Sequence, residues 1–106
     1  RRRLAIVGAL AQAIRQKELE LYLQPQFSCR ANRLCGAEVL LRWNSEKFGV
    51  VSPVEFIEVA EEAGLMSDLT RFVIDESFQL LRSFHESGLV ITLSINLSIQ
   101  NLWKQS

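Results

Sequence analysis

Gly36-Ala37-Glu38-Val39-Leu40-Leu41-Arg42-Trp43 is an apolar run that carries two opposite charges. In an extended strand successive side chains point to opposite faces. Cys35, Ala37, Val39, Leu41 and Trp43 then share one unbroken apolar face suited to packing under helices, while Gly36, Glu38, Leu40 and Arg42 share the other. A strand rises about 3.3 Å per residue, so Glu38 and Arg42 lie roughly 13 Å apart, too far for backbone position alone to impose an ion pair. The carboxylate and the guanidinium therefore line one surface as separate groups. Read alone, the same pattern also fits the solvated face of a half-exposed strand.

On the N-terminal side, Leu19 to Phe27 has a period of two, with Leu19, Leu21, Leu23 and Phe27 on one side and Glu20, Tyr22, Gln24 and Gln26 on the other. Pro25 cannot donate to a ladder, which puts this strand at an edge or near its end. Ser28 to Leu34 is too short for a parallel return, so the two strands form an antiparallel hairpin. Before them, Leu4, Val7, Leu10, Ala11 and Ile14 recur at three- and four-residue spacings and predict an amphipathic helix over Leu4 to Gln16. The Arg1 to Arg3 run reads as a solvated helix start.

On the C-terminal side, Asn44 to Val51 reads as a polar loop containing Gly49. Ser52-Pro53-Val54-Glu55 then combines a capping-box Ser and Glu with Pro at the first helical position. Phe56, Ile57, Val59, Ala60 and Ala63 supply the buried side of that helix, and Gly64 is placed as its stop. A second helix, from about Ser67 to Ser87, buries Leu69, Phe72, Val73, Leu80, Leu81 and Phe84 and ends at Gly88. Val90 to Leu97 repeats the alternation, with Ile91, Leu93, Ile95 and Leu97 apolar and Thr92, Ser94 and Asn96 small and polar.

The long helical crossover makes this last strand parallel to the Glu38 strand. Helices over one face of the strands, with small and functional side chains on the other, are the pattern of an α/β fold, here a partial TIM-like β/α barrel. A complete barrel has eight strands and commonly about 250 residues, whereas these 106 residues predict three strands. The chain is therefore expected to be part of a barrel. Its last strand would leave an apolar edge through which two copies pair as a homodimer.

Twelve Lys and Arg balance twelve Asp and Glu, so no overall field draws the chain to a nucleic acid polymer or an anionic membrane. No apolar run approaches the roughly 20 residues of a membrane span, and the expected location is the cytoplasm, with membrane anchorage left to any parent protein. Cys29 and Cys35 do not form a CxxC pair, and with His85 they make a poor zinc set, so they read as reduced thiols near a turn. His85 sits at a helix end, placed to interact with the last carbonyls.

Leu23-Gln24-Pro25, Gly36 to Trp43, Ser52 to Ile57 with Ala60-Glu61-Glu62-Ala63-Gly64-Leu65, and Ile95-Asn96-Leu97-Ser98 follow one another in an order that resembles the EAL domain, the bacterial phosphodiesterase of cyclic diguanylate. The name-giving triplet reads Glu38-Val39-Leu40, with Val for Ala on the outward apolar face. The resemblance assigns residues 1–106 to the N-terminal part of such a domain, 1–17 as a leading helix and 18–106 as the partial barrel.

Carried over residue by residue, the resemblance implies that Glu38 and Asn96 are metal ligands, that Arg42 contacts a substrate phosphate and that Gln24 sits at the substrate. All four lie on the polar faces of their strands. Each also has a plain alternative: Glu38 on the solvated face of a half-exposed strand, Asn96 bonded to backbone at a strand end, Gln24 solvated at an edge, Arg42 paired with Glu61 or Glu62. The implied cofactors are two Mg²⁺ or Mn²⁺ ions, hard cations suited to oxygen ligands, and the implied reaction opens cyclic di-GMP to linear pGpG. The family's further acidic ligands, lysine and late Glu and Gln have no counterpart in this chain. Since each metal takes about six oxygen ligands, the chain alone is expected not to turn over substrate. A degenerate module acting as a cyclic di-GMP receptor or a protein-interaction domain is the alternative.

Overall fold

The computed structural model describes residues 2–28, 30 and 33–97. Helix α1 (Arg2–Arg15) leads into strands β1 (Leu19–Ser28), β2 (Arg33–Ser45) and β3 (Gly49–Val51), followed by helices α2 (Pro53–Ala63) and α3 (Met66–Glu86) and strand β4 (Thr92–Ile95). The architecture is α/β: an antiparallel hairpin, then helices, then a strand parallel to β2.

Strand β2 is the centre of the four-stranded sheet. Glu38 pairs with Gln24 of β1 and with Ser94 of β4, and Trp43 pairs with Leu19 of β1 and with Val51 of β3. Since one residue cannot pair twice on the same side, β1 runs along one edge of β2, and β4 and β3 share the other. Val39 is the last β2 residue paired to β4, and Trp43 is the first paired to β3. Between them, Leu40 to Arg42 face a gap on that edge.

The predicted alternation of β2 is realised. Ala37, Val39, Leu41 and Trp43 are buried, and Glu38, Leu40 and Arg42 are half-buried on the opposite face. Trp43 meets Phe56 of α2 edge-on, with ring centroids 6.0 Å apart and planes at 85°, a favoured aromatic geometry. Ile6, Leu10 and Ala13 of α1, Ile57, Val59 and Ala60 of α2, and Leu69, Phe72 and Val73 of α3 complete one core on this side of the sheet.

Helix α2 starts and stops as its sequence predicts. Ser52 is the N-cap, its Oγ accepting from the Glu55 backbone N–H at 3.2 Å, and Pro53 opens the helix. Gly64 ends it in the left-handed region at φ 74°, where a side chain would be strained. The Glu55 carboxylate does not return to the cap, because it is held by Arg2 of α1 through hydrogen bonds of 2.9 and 3.2 Å.

Five expectations are corrected. The Asn44 to Val51 loop contains β3, which folds back on β2 and buries Val51. The buried face of α1 is Ile6, Leu10 and Ala13, while Leu4 is 80% exposed; the helix is turned by about one residue step, roughly 100°. The cause lies in the arginines read as solvated. Arg2 binds Glu55, and Arg3 binds Glu58 and Glu62, so α1 turns its basic start toward α2. Arg1 lies outside the described residues, as does Cys29.

Phe27 leaves the core and is 64% exposed; Pro25, two residues before it on the same face of β1, is already exposed, so the core ends short of this end of the strand. The register also shifts between Gln26 and Phe27. Cys35 is the extra residue opposite that shift, and its Sγ donates to the Gln26 carbonyl at 3.4 Å. Such a bulge reverses the side-chain phase of β2 beyond it and leaves that of β1 unchanged. In α3 the buried set is Leu69, Phe72, Val73 and Ser77, with Leu80, Leu81 and Phe84 only partly covered. The last strand is shorter than Val90 to Leu97, spanning Thr92–Ile95.

At Gly36 the backbone of β4 lies close to β2: a Cβ there would lie 2.8 Å from the Thr92 carbonyl oxygen and 3.3 Å from Gln26 Oε1. The nearer neighbour is backbone and cannot turn aside. Gly36→Ala is expected to destabilise the fold by about 1–3 kcal/mol, the usual cost of overpacking, read as a lower denaturant midpoint. The Arg2 guanidinium also holds the Glu55 carboxyl below its ordinary range, chiefly by hydrogen bonding. A depressed folded pKa stabilises above the unfolded value, about 4.3 for Glu, and that contribution is lost as pH falls through the folded value. Arg2→Ala should therefore flatten the acid limb of a stability-versus-pH curve below about pH 4.5 and leave its alkaline limb unchanged.

Candidate functional site

The face of the sheet opposite the core gathers the polar residues of three strands. On β2 it carries Glu38 and Arg42. The β1 register places Gln24 level with Glu38, Tyr22 level with Leu40 and Glu20 level with Arg42. Ser94 flanks Glu38 from β4, and Asn96 follows directly after the last residue of that strand. Glu38 thus has a polar neighbour on each side, an arrangement set wholly by the two strand registers.

A groove of about 610 Å³ opens where β3 and β4 leave β2 unpaired, and Gln24, Leu40, Arg42, Asn96, Pro53 and Glu55 line it. The first turn of α2 and Arg3 of α1 form its far wall. Of the four residues singled out in the sequence, Gln24, Arg42 and Asn96 meet at this groove. Glu38 stands beside it in register with Gln24, outside its lining.

Arg42 is anchored within its own strand. Its Nη1 donates to the Leu41 carbonyl at 3.0 Å, and its guanidinium carbon lies 5.5 Å from the centre of the Tyr22 ring. It pairs with neither Glu61 nor Glu62, and Glu62 is taken by Arg3. The sequence reading missed two contributors: Tyr22, which shares a strand face with Gln24, and the arginines of α1, whose partners Glu55 and Glu58 rim the groove. Cross-strand register would have revealed Tyr22. Nothing in local sequence revealed the arginine partners, which are more than fifty positions away.

Glu38 and Asn96 offer oxygen donors that suit a hard divalent cation. Among the described residues there is no group of three or more His, Cys, Asp and Glu side chains able to hold a metal ion. Also among the described residues, no helix is long and apolar enough to cross a membrane.

Comparison with known proteins identifies the family and agrees with the fold. The family model for the EAL domain matches residues 7–106. The chain is 44% identical over 104 residues to the biofilm architecture maintenance protein MbaA of Vibrio cholerae, which covers 95% of this chain and 13% of that protein. It is 32% identical over 102 residues to the cyclic di-GMP phosphodiesterase PA2567 of Pseudomonas aeruginosa, covering 95% of this chain and 17% of that protein. In structure it resembles the MucR phosphodiesterase of Pseudomonas aeruginosa in complex with cyclic di-GMP, with a TM-score of 0.79, 25% identity, and coverage of 95% of this chain and 46% of that one. The chain thus spans well under a fifth of the length of these two relatives. A sheet with Gln24, Glu38 and Arg42 on one face, matched across nearly its whole length by this family, makes the chain a member of the EAL domain family.

Proposed function

We propose that the chain forms the N-terminal part of a cyclic di-GMP phosphodiesterase domain serving bacterial second-messenger signalling, which opens one phosphodiester of cyclic di-GMP to give linear pGpG. The observation that carries this reading is the single polar face on which the strand registers set Gln24, Glu38 and Arg42, with Asn96 at the adjoining groove. Arg42 offers a planar fork of donors to a phosphodiester oxygen, and a guanidinium keeps its charge at any working pH. Gln24, level with Glu38, presents both donor and acceptor groups to a nucleotide. Leu40 and Pro53 give the groove an apolar wall, and polar contacts made beside such a low-dielectric surface are stronger than in bulk water.

Glu38 and Asn96 would contribute to holding Mg²⁺ or Mn²⁺. When bound in a complete domain, such ions activate water and stabilise charge on the attacked phosphate. The pair is too small a donor set for two such ions, so residues 1–106 on their own are read as inactive and the parent protein as the enzyme. A second reading rests on the same shortage of ligands: a module that binds cyclic di-GMP or a protein partner without cleaving it. The outer edge of β4, which pairs only with β2 among the described residues, also supports pairing of two copies.

In the parent protein with Mn²⁺, Glu38→Gln is expected to abolish release of pGpG while leaving cyclic di-GMP binding measurable by calorimetry. A parent that never releases pGpG but binds the nucleotide would transfer the function to the receptor reading. Arg42→Ala should weaken binding by roughly tenfold or more, the equivalent of a charge-assisted hydrogen bond of about 1.5–3 kcal/mol; unchanged affinity would remove Arg42 from the site.

A further inference from the structure

We propose that Tyr22 is the positioning residue for Arg42: its ring holds the guanidinium over the polar face of the sheet in the place where it meets a phosphate. The inference rests on the reading of Arg42 as a phosphate contact. Register provides the first argument. Glu20, an opposite charge, is directly across from Arg42, and Tyr22 is one step further along that face, level with Leu40. Opposite charges facing each other across a ladder ordinarily pair. Here Arg42 is drawn to the diagonal neighbour, its guanidinium 5.5 Å from the Tyr22 ring centre, and makes no ion pair with Glu20. The displacement runs along the strand toward Leu40, hence toward the level of Gln24 and Glu38.

The remaining contact of the arginine points the same way. Nη1 is fixed on the Leu41 carbonyl at 3.0 Å, which leaves most of the five guanidinium N–H donors for a ligand. A long side chain that is half-buried and unanchored would lose rotamer freedom on binding a phosphate. With one nitrogen on backbone and its plane over an aromatic face, that freedom is already surrendered before the nucleotide arrives. Tyr22 is itself 52% exposed, so it adds little to the core. A second role, stacking on a guanine base, would also suit an exposed ring, and the test separates the two.

The test uses the chain of residues 1–106 and two readouts. The heteronuclear NOE of the Arg42 Nε–H reports how firmly the guanidinium is held without any ligand, and calorimetric titration with cyclic di-GMP reports affinity. Tyr22→Leu is expected to lower the NOE to that of a free arginine side chain and to weaken binding about two- to five-fold, the range of an exposed cation–π contact. Tyr22→Phe, which keeps the ring face, should restore both. In an Arg42→Ala background Tyr22→Leu should cost nothing further. An unchanged NOE in Tyr22→Leu overturns the proposal, and so does an equal loss of affinity with Arg42 already removed, which would make Tyr22 a direct contact. If the unaltered chain binds no cyclic di-GMP, the phosphate-contact reading fails for this chain, and the NOE still decides whether Tyr22 holds Arg42.

Discussion

Strand β2 is hydrogen-bonded along both of its edges, and nearly everything else in the molecule takes its place from that. One edge carries β1 in a register that levels Gln24 with Glu38; the other carries β4 in a register that levels Ser94 with the same residue. Because the side chains of β2 alternate, the packing of Val39, Leu41 and Trp43 against the helices also decides where Glu38 and Arg42 point. A slip of one residue would bury a carboxylate and a guanidinium where Val39 and Trp43 now sit, at a cost of several kcal/mol per ion. The hydrophobic core thus keeps the polar face in phase without touching it.

The groove follows from the lengths of the two strands on the second edge. β4 ends opposite Val39 and β3 ends opposite Trp43, so neither covers Leu40 to Arg42. The start of α2 closes the space from the side, and its position depends on the Ser52 cap and on the arginines of α1. An apparently peripheral helix is therefore tied to the rim of the site, through Glu55 and Glu58.

Much of this was legible in the residues themselves. Period-two alternation identified β1 and β2, a short connection identified their antiparallel pairing, and Ser52, Pro53 and Gly64 bounded α2, since these signals act within a few residues of chain. What escaped depended on distant partners. The buried face of α1 was misjudged because Arg2 and Arg3 find glutamates on α2, and β3 was missed because three residues of strand carry too little periodicity to register. At the site, Gln24, Arg42 and Asn96 were legible from their polar faces together with family resemblance. Tyr22 was not, because an aromatic beside a strand's polar residues signifies nothing until cross-strand register puts an arginine over it.

The bulge at Cys35 has a bearing on how this chain can change in length. Between the bulge and the turn, side chains have already lost their tie to the core, as Phe27 shows, so residues gained or lost in the hairpin tip would leave the phase of Gln24 and Glu38 intact. A single-residue insertion between Gly36 and Trp43 has no such buffer and would exchange the two faces of β2 outright. Tolerance to insertion and deletion should thus fall abruptly at Gly36, with freely variable hairpin lengths on one side of it and an invariant spacing on the other.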